Sequence, residues 1–197
     1  AVDVEVLGMV RFLASHGADL EQVGRSRAWE LYAMPGRVLT PRAACKCSPL
    51  GLAITAGLDK VFHFLLQSYD GASDLGGTAV DLYQGSMNAL ESVIHLNRPE
   101  FIDALIDRGV VVSFADLSKA ANLGRARCLD QFAKGTKSRK GIDLLQLDEQ
   151  GNSLLHVAWA AKQLECCNHL GRIFKANIAK SSENGSVSLL RSYTYLH

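Results

Sequence analysis

A turn followed at once by a short helix, between residues 148 and 159, constrains the fold of this chain more than any other stretch. Asp148 and Gly151 favour a turn, because an Asp side chain can bond the backbone that follows it and Gly tolerates a positive φ. Ser153 is predicted to be the N-cap of the helix that follows. The apolar face predicted for this first helix contains Leu155 and Ala158. A second helix is predicted after it, with an apolar face formed by Leu164, Cys167 and Leu170.

The same order of turn, short helix and second helix recurs in three other places. Ser48 and Pro49 open the clearest copy, since a proline in the first helical turn loses no hydrogen bond there, and Gly57 is predicted to end that helix. Further copies are predicted at Asn88 and near Ala115. The apolar residues predicted for the second helices of these copies are Val61, Phe62, Leu65 and Leu66, then Phe101, Leu105 and Ile106, then Cys128, Leu129 and Phe132.

The turn, the Ser-Leu-Leu-His-Val-Ala sequence after it and the recurrence resemble ankyrin repeats. The resemblance implies an all-α fold, an ankyrin-type helix-turn-helix solenoid with irregular repeats and loop insertions, in one domain over residues 1–197. It also implies that His156 has a structural role, with its imidazole hydrogen-bonded to the backbone of neighbouring turns. The predicted segments are a partial repeat at 1–20, an insertion at 21–46, repeats near 47–75, 86–110, 113–133 and 148–177, and a partial repeat at 178–197.

The spacing of the copies departs from that of the family. The aligned markers Leu50, Leu90, Leu117 and Leu155 lie 40, 27 and 38 residues apart, whereas the family period is about 33 residues. Loop insertions are therefore expected between some repeats. Because a second helix followed by Gly-Ala-Asp is predicted near residue 17, the chain is expected to begin inside an array and to be part of a longer polypeptide.

Composition and charge exclude several classes of protein. Hydrophobic residues make up 48% of the chain and aromatic residues 7%, which fits helices built on Leu and Ala and excludes a disordered chain. The net charge of +1 and the short basic loop at 134–141, which lacks interleaved aromatic residues, predict no nucleic-acid partner. No apolar run reaches the roughly 20 residues that span a bilayer, so no membrane partner and a cytoplasmic location are predicted.

Cysteine and histidine side chains provide the candidates for chemistry. Five cysteines, an odd number, predict reduced thiols that pack in the interior. Cys45, Cys47 and His63 do not have the paired spacing of a structural zinc site. Cys166 and Cys167 are neighbours on a predicted helix, and core packing for one with partial exposure for the other is expected. No sequence motif of a nucleotide-binding loop, hydrolase or metalloprotease occurs, so no catalytic residue, no metal and no cofactor are predicted.

The resemblance also indicates where a partner would bind, because the family's variable positions follow the first part of each short helix. Trp159 stands where the family pattern has a small residue, so its ring either fills a gap between neighbours or is exposed as an interface residue. The predicted partner-binding residues are Thr55, His95, Leu96, Asn122, Leu123, Glu149, Gln150, Asn152, Trp159, Ala160 and Ala161.

These patterns predict a non-catalytic module that recognises a folded protein. A narrower hypothesis makes it the substrate-recognition part of a larger protein, similar to the ankyrin module of secreted bacterial effectors that act on host caspases, with an ADP-ribosyl-transferring domain elsewhere and a host cytosol as its location. Two alternatives stay open: an enzyme that uses Cys45, Cys47 or His63 within the insertions, and a structural spacer between domains.

Overall fold

The computed structural model describes residues 2–20, 24–26, 45–68, 80–81, 86–134 and 141–183. For residue 2, the strands and residues 176–183 it describes the backbone alone. The described residues are mostly helical, which agrees with the predicted all-α class. The chain divides into two compact units, residues 1–112 with 136–139 and residues 113–135 with 140–197.

The described residues of the first unit form one long helix and two helical hairpins. Helix α1 packs on α3, α2 packs on both α3 and α4, and α4 packs on α5. Two short antiparallel β-ladders, which the sequence did not predict, join β1 to β2 and β3 to β4. The elements are α1 (Val2–Ser15), β1 (Gly24–Ser26), β2 (Cys45–Cys47), α2 (Pro49–Ala56), α3 (Asp59–Ser68), β3 (Val80–Asp81), β4 (Ser86–Met87), α4 (Ala89–His95) and a 3₁₀ turn (Pro99–Phe101) that continues into α5 (Ile102–Asp107).

The second unit contains two further helical hairpins. Helix α6 packs on α7 and α8, and α9 packs on α8 and α7. The first helices of the two hairpins therefore contact each other, and so do their second helices. The elements are α6 (Phe114–Asn122), α7 (Ala126–Ala133), α8 (Leu154–Ala160) and α9 (Leu164–Glu183).

All four hairpins turn at a residue with a left-handed backbone. These residues are Gly57, Asn97, Gly124 and Lys162, with φ of 67°, 55°, 72° and 59°. Each lies seven residues after one of the markers Leu50, Leu90, Leu117 and Leu155 and two residues before the next helical segment. The backbone hydrogen bonds of the four turns are also alike, since the residue after the left-handed one donates its N–H to a buried residue five positions earlier: Ala53, Val93, Ala120 or Ala158. This is the Schellman end of a helix.

The buried positions of the second helices repeat as well. Counted from the left-handed residue, the fourth, fifth and eighth positions are buried in the first three hairpins. In α9 the fourth and eighth positions, Cys166 and Leu170, are buried, whereas Leu164 is 68% exposed and Cys167 is half-buried. The predicted apolar face of α9 through Leu164, Cys167 and Leu170 is therefore wrong. The face actually continues to Phe174, so it turns away from Leu164.

The first helices need a similar correction. In α8 the fully buried residues are Leu154 and Ala158, and Leu155 is only half-buried. Helix α6 begins at Phe114, one residue before Ala115 and within the predicted repeat at 113–133, because Ser113 caps it and exchanges hydrogen bonds with Asp116. Its marker Leu117 and its left-handed Gly124 nevertheless keep the seven-residue spacing of the other hairpins.

Two of the turn glycines lie against the ends of long side chains from the next hairpin. A Cβ at Gly57 would lie 2.9 Å from Arg98 Nη1, and a Cβ at Gly124 would overlap Gln163 Oε1. Arg98 and Gln163 each follow the left-handed residue of the next hairpin in the same unit. Within each unit, therefore, the turn of the second hairpin lies against the turn of the first in the same register.

Replacing Lys162 with glycine is expected to stabilise the protein. A non-glycine residue in the left-handed region costs roughly 1–2 kcal/mol, and Lys162 is exposed at φ 59°. After the added chain entropy of glycine, we expect Lys162→Gly to raise the free energy of unfolding by about 0.5–1 kcal/mol. Asn97→Gly is the control and should gain less, because Asn tolerates this conformation. Chemical denaturation measures both free energies of unfolding. A gain for Lys162→Gly no larger than that for Asn97→Gly, or a loss of stability, would contradict the assigned turn.

Candidate functional site

The first helices are held at their N-termini by one type of cap with different partners. Ser48 Oγ accepts from the Gly51 N–H at 3.1 Å, and Asn88 Oδ1 accepts from the Glu91 N–H at 2.8 Å. In α6 the acid Asp116 exchanges hydrogen bonds with the cap residue Ser113. In α8 the imidazole of His156 takes the place of that acid, since its Nδ1 accepts the Ser153 N–H at 3.1 Å. Nδ1 therefore carries no proton in this arrangement. The resemblance implied hydrogen bonds from His156 to the backbone of neighbouring turns, whereas the hydrogen bond observed here is to the backbone of its own cap residue, Ser153.

The turn before α8 is built on one carboxylate. Asp148 Oδ1 accepts the N–H groups of Gln150 at 2.9 Å and Asn152 at 2.7 Å, and its Oδ2 accepts Asn152 Nδ2 at 3.0 Å. The side-chain and backbone hydrogen bonds from Asn152 lower the pKa of Asp148 below its usual 3.8. Gly151, at φ 82°, completes the turn that the sequence predicted.

Acidification is expected to weaken this turn. Because the folded protein holds the pKa of Asp148 below its unfolded value, the carboxylate contributes stability above about pH 4, and this contribution is lost as the pH drops through the lower, folded pKa. We expect wild type to be more stable than Asp148→Asn at neutral pH and the difference to shrink below pH 3.8. Urea unfolding at a series of pH values measures this. Glu149→Gln, which changes the exposed neighbouring acid, is the control. If the stability difference between wild type and Asp148→Asn stayed constant down to pH 2, the role of Asp148 would be contradicted.

An exposed apolar surface lies at the turns of the second unit. Trp159 is 70% exposed and Leu164 is 68% exposed, and Ala160 between them is also exposed. Trp159 and Leu164 flank the left-handed Lys162. The side chain of Gln163 lies against Gly124, so this turn contacts the turn between α6 and α7. We call the following residues the unit 2 turn surface: Asn122, Leu123, Trp159, Ala160, Ala161 and Leu164.

Trp159 does not fill an internal gap between neighbouring helices, because a ring in such a gap would be buried. Leu164 belongs to the surface although the sequence assigned it to a buried face. No sequence signal marked it, because the same position, the second after the turn, is buried in two of the other hairpins, at Pro99 and Ala126, and exposed in the third, at Asp59.

The remaining predicted binding residues lie elsewhere. Thr55, His95 and Leu96 are in the first unit, and Glu149, Gln150 and Asn152 are in the turn that precedes α8. Thr55 is 8% exposed and its hydroxyl donates to the Gly51 carbonyl at 2.8 Å, so we leave it out of any binding surface. Glu149 and Gln150 are exposed, whereas the Asn152 amide is engaged by Asp148.

The candidate thiols and imidazoles do not form a reactive group within the described residues. Cys166 and Cys128 are buried and Cys167 is half-buried, as expected. Burial, with smaller contributions from Glu165 and Cys167, raises the pKa of the Cys166 thiol to about 11, the opposite of what a nucleophile needs. His63 is exposed and pairs with Asp59 at 3.4 Å. The side chains of Cys45 and Cys47 lie outside the described residues.

Thiol labelling should reflect this burial. At pH 8 a thiol with a pKa of about 11 is ionised in only about one molecule per thousand. We therefore expect iodoacetamide to modify Cys166 and Cys128 far more slowly than Cys167, as measured by mass spectrometry of the intact, folded protein. Labelling in denaturant is the control and should make the three rates similar. If Cys166 reacted as fast as Cys167 in the folded protein, the result would argue for an activated thiol.

The described part of the chain holds no group of three or more His, Cys, Asp or Glu side chains placed for a metal ion. In the same residues no helix is long and apolar enough to cross a membrane. No protein-family model matches the sequence, and a search of curated proteins finds no significant match.

Proposed function

We propose that this protein is a non-catalytic interaction module of ankyrin type that recognises a folded protein. The repeated hairpin supports the fold assignment. Four copies share the distance from marker to left-handed turn, and neighbouring hairpins within each unit pack first helix on first helix. Such stacking presents side chains from successive turns on a pre-ordered surface, which lowers the entropy lost on association.

A single observation carries the function: Trp159 is largely exposed to solvent at the end of α8, beside a turn that backbone hydrogen bonds close. Its ring is 70% exposed, and the turn is closed by the Lys162 N–H to the Trp159 carbonyl at 2.9 Å and the Gln163 N–H to Ala158 at 2.9 Å. Large exposed aromatic side chains on rigid elements are typical anchors of protein interfaces. Covering the ring would contribute on the order of 2 kcal/mol.

A cytoplasmic location stays part of the proposal, because the chain has five cysteines, an odd number, and disulfides are rare in that compartment. In its narrower form, the proposal makes the chain the substrate-recognition part of a larger protein, for example a bacterial effector whose ADP-ribosyl-transferring domain modifies a host caspase. Identification of the protein that this chain binds would test the narrower proposal.

Affinity capture with paired variants tests the proposal. Leu164→Glu places a charge within the unit 2 turn surface, and Val111→Glu places the same charge at an apolar residue of the first unit that is 85% exposed. We expect a protein captured by wild type to be lost with Leu164→Glu and kept with Val111→Glu. Capture that is equal for all three proteins would refute the proposed surface, and a chain that captures nothing would favour the spacer.

A further inference from the structure

Two exposed cations of the second unit lie at the turns that carry the unit 2 turn surface. Lys162 is exposed and stands between Trp159 and Leu164 in the sequence, and Arg127 is exposed in the first turn of α7. The turn between α8 and α9 lies against the turn between α6 and α7. Among the described residues, no ion pair involves either cation, so both positive charges face solvent.

The charge of these two turns is mostly positive. Residues 119–127 and 159–165 contain a single acid, Glu165, and four basic residues, which are Lys119, Arg125, Arg127 and Lys162. Arg125 is half-buried, and its charge acts on the start of α9: burial and Glu165 raise the pKa of Cys166, and Arg125 opposes them. The apolar residues of the unit 2 turn surface therefore lie among residues of net positive charge.

Acids of the same unit lie at the opposite ends of the first helices. Asp116 is in the first turn of α6, and Asp148 and Glu149 precede α8. The helix macrodipole favours such acids at helix N-termini. It does not explain Arg127, the second residue of α7, because a positive charge is unfavourable in a first turn. A residue placed against the preference of its own helix is typical of a binding role.

We propose that the unit 2 turn surface binds an acidic segment of the partner protein in which carboxylates flank an apolar side chain. The apolar side chain would cover Trp159 and Leu164, and the carboxylates would face Lys162 and Arg127. This inference rests on the proposed function and names the chemistry of the partner at the same surface. Charge complementarity supports it, since opposite charges around an apolar contact steer the encounter and fix the register of the two proteins.

Two other anionic ligands fit this surface less well. Basic clusters that bind anionic lipids contain about four to eight Lys or Arg residues, whereas the two turns expose only Lys162 and Arg127. Proteins that bind single-stranded nucleic acid stack successive bases on several aromatic rings, and Trp159 is the one aromatic residue in 119–127 and 159–165. A protein segment is therefore the ligand that the surface favours.

Selection from a random peptide library on the full chain tests the inference, because it does not presuppose the sequence of the partner. We expect the peptides that bind wild type, and do not bind Trp159→Ala, to be enriched in Asp and Glu beside a large apolar residue. Selection at high NaCl concentration is the control, and the enrichment in acids should decline there, because salt screens exposed charges.

Charge reversal measures the contribution of each cation. One selected peptide, labelled for fluorescence anisotropy, should bind Lys162→Glu and Arg127→Glu each about fivefold more weakly, since attraction at an exposed pair becomes repulsion. Lys175→Glu is the matched control and should bind as wild type does, because Lys175 is an exposed cation of α9 about 16 Å along the helix from Leu164. Lys162→Gly should also weaken binding although it stabilises the fold, which separates the charge effect from unfolding.

Three results would overturn the inference. The first is a set of Trp159-dependent peptides without an excess of acids, or no such peptide at all. The second is equal binding of a selected peptide to Lys162→Glu, Arg127→Glu and Lys175→Glu. The third is Trp159-dependent sedimentation with phosphatidylserine vesicles in place of any acidic peptide, which would assign the surface to a lipid membrane. The affinity capture with Leu164→Glu and Val111→Glu tests the proposed function separately.

Discussion

Trp159→Ala is expected to weaken binding of the protein partner by about 30-fold or more, which corresponds to about 2 kcal/mol, while the melting temperature stays nearly unchanged. The physical reason is that the ring is 70% exposed in the free protein, so its removal creates no cavity and leaves no buried group unpaired. Surface changes of this kind usually alter stability by less than about 0.5 kcal/mol.

Two controls make the result interpretable. Leu154→Ala alters a fully buried residue of the same helix and should cost about 2–5 kcal/mol of stability. Val111→Ala removes another exposed apolar side chain, in the first unit, and should change neither binding nor stability. If Trp159→Ala lowered the melting temperature as Leu154→Ala does, with binding intact, Trp159 would be a packing residue and the proposed surface would be wrong.

Phe101→Ala is expected to cost about 3–5 kcal/mol of unfolding free energy, the usual range for a buried phenylalanine. Phe101 is 0% exposed and its ring centroid lies 4.3 Å from that of Phe62, which is also fully buried. The 3₁₀ turn that carries Phe101 joins α4 to α5, so the pair ties α3 of one hairpin to the next. Since whole domains are stable by only about 5–15 kcal/mol, a loss of this size should be evident in a urea titration.

Phe12→Ala is the matched control for that change. Phe12 is 60% exposed, and its ring centroid lies 4.2 Å from that of His16, the residue after the end of α1. Its removal should alter stability by less than about 0.5 kcal/mol. Comparable losses for Phe12→Ala and Phe101→Ala would mean that the contact between the two hairpins contributes little to the first unit.

Local patterns predicted much of the fold. Ser48, Asn88 and Ser153 cap helices in the structure, and Gly57 and Gly124 take the positive φ that only glycine adopts at little cost. These features depend on a few neighbouring residues, so one sequence shows them. The turn at Lys162 was missed because no glycine marks it, and the φ of 59° is imposed by the backbone hydrogen bonds to Trp159 and Ala158.

The candidate site was less predictable. The sequence named Trp159 without deciding its exposure and placed Leu164 inside, and it put Thr55 on a binding surface although the residue is buried. Each error concerns which neighbours cover a side chain. Coverage depends on helices that are distant in the sequence, and insertions of unequal length shift the apparent period of the hairpins.

The sequence by itself determined the unit of construction, a capped short helix followed by a second helix, with glycine marking the left-handed turn at Gly57 and Gly124, because local hydrogen bonds and φ preferences specify these features. Only the tertiary structure decided which apolar residues stay uncovered, such as Trp159 at the end of α8 and Leu164 at the start of α9. Burial is a property of packed neighbours, and the chain brings those neighbours together only when it folds.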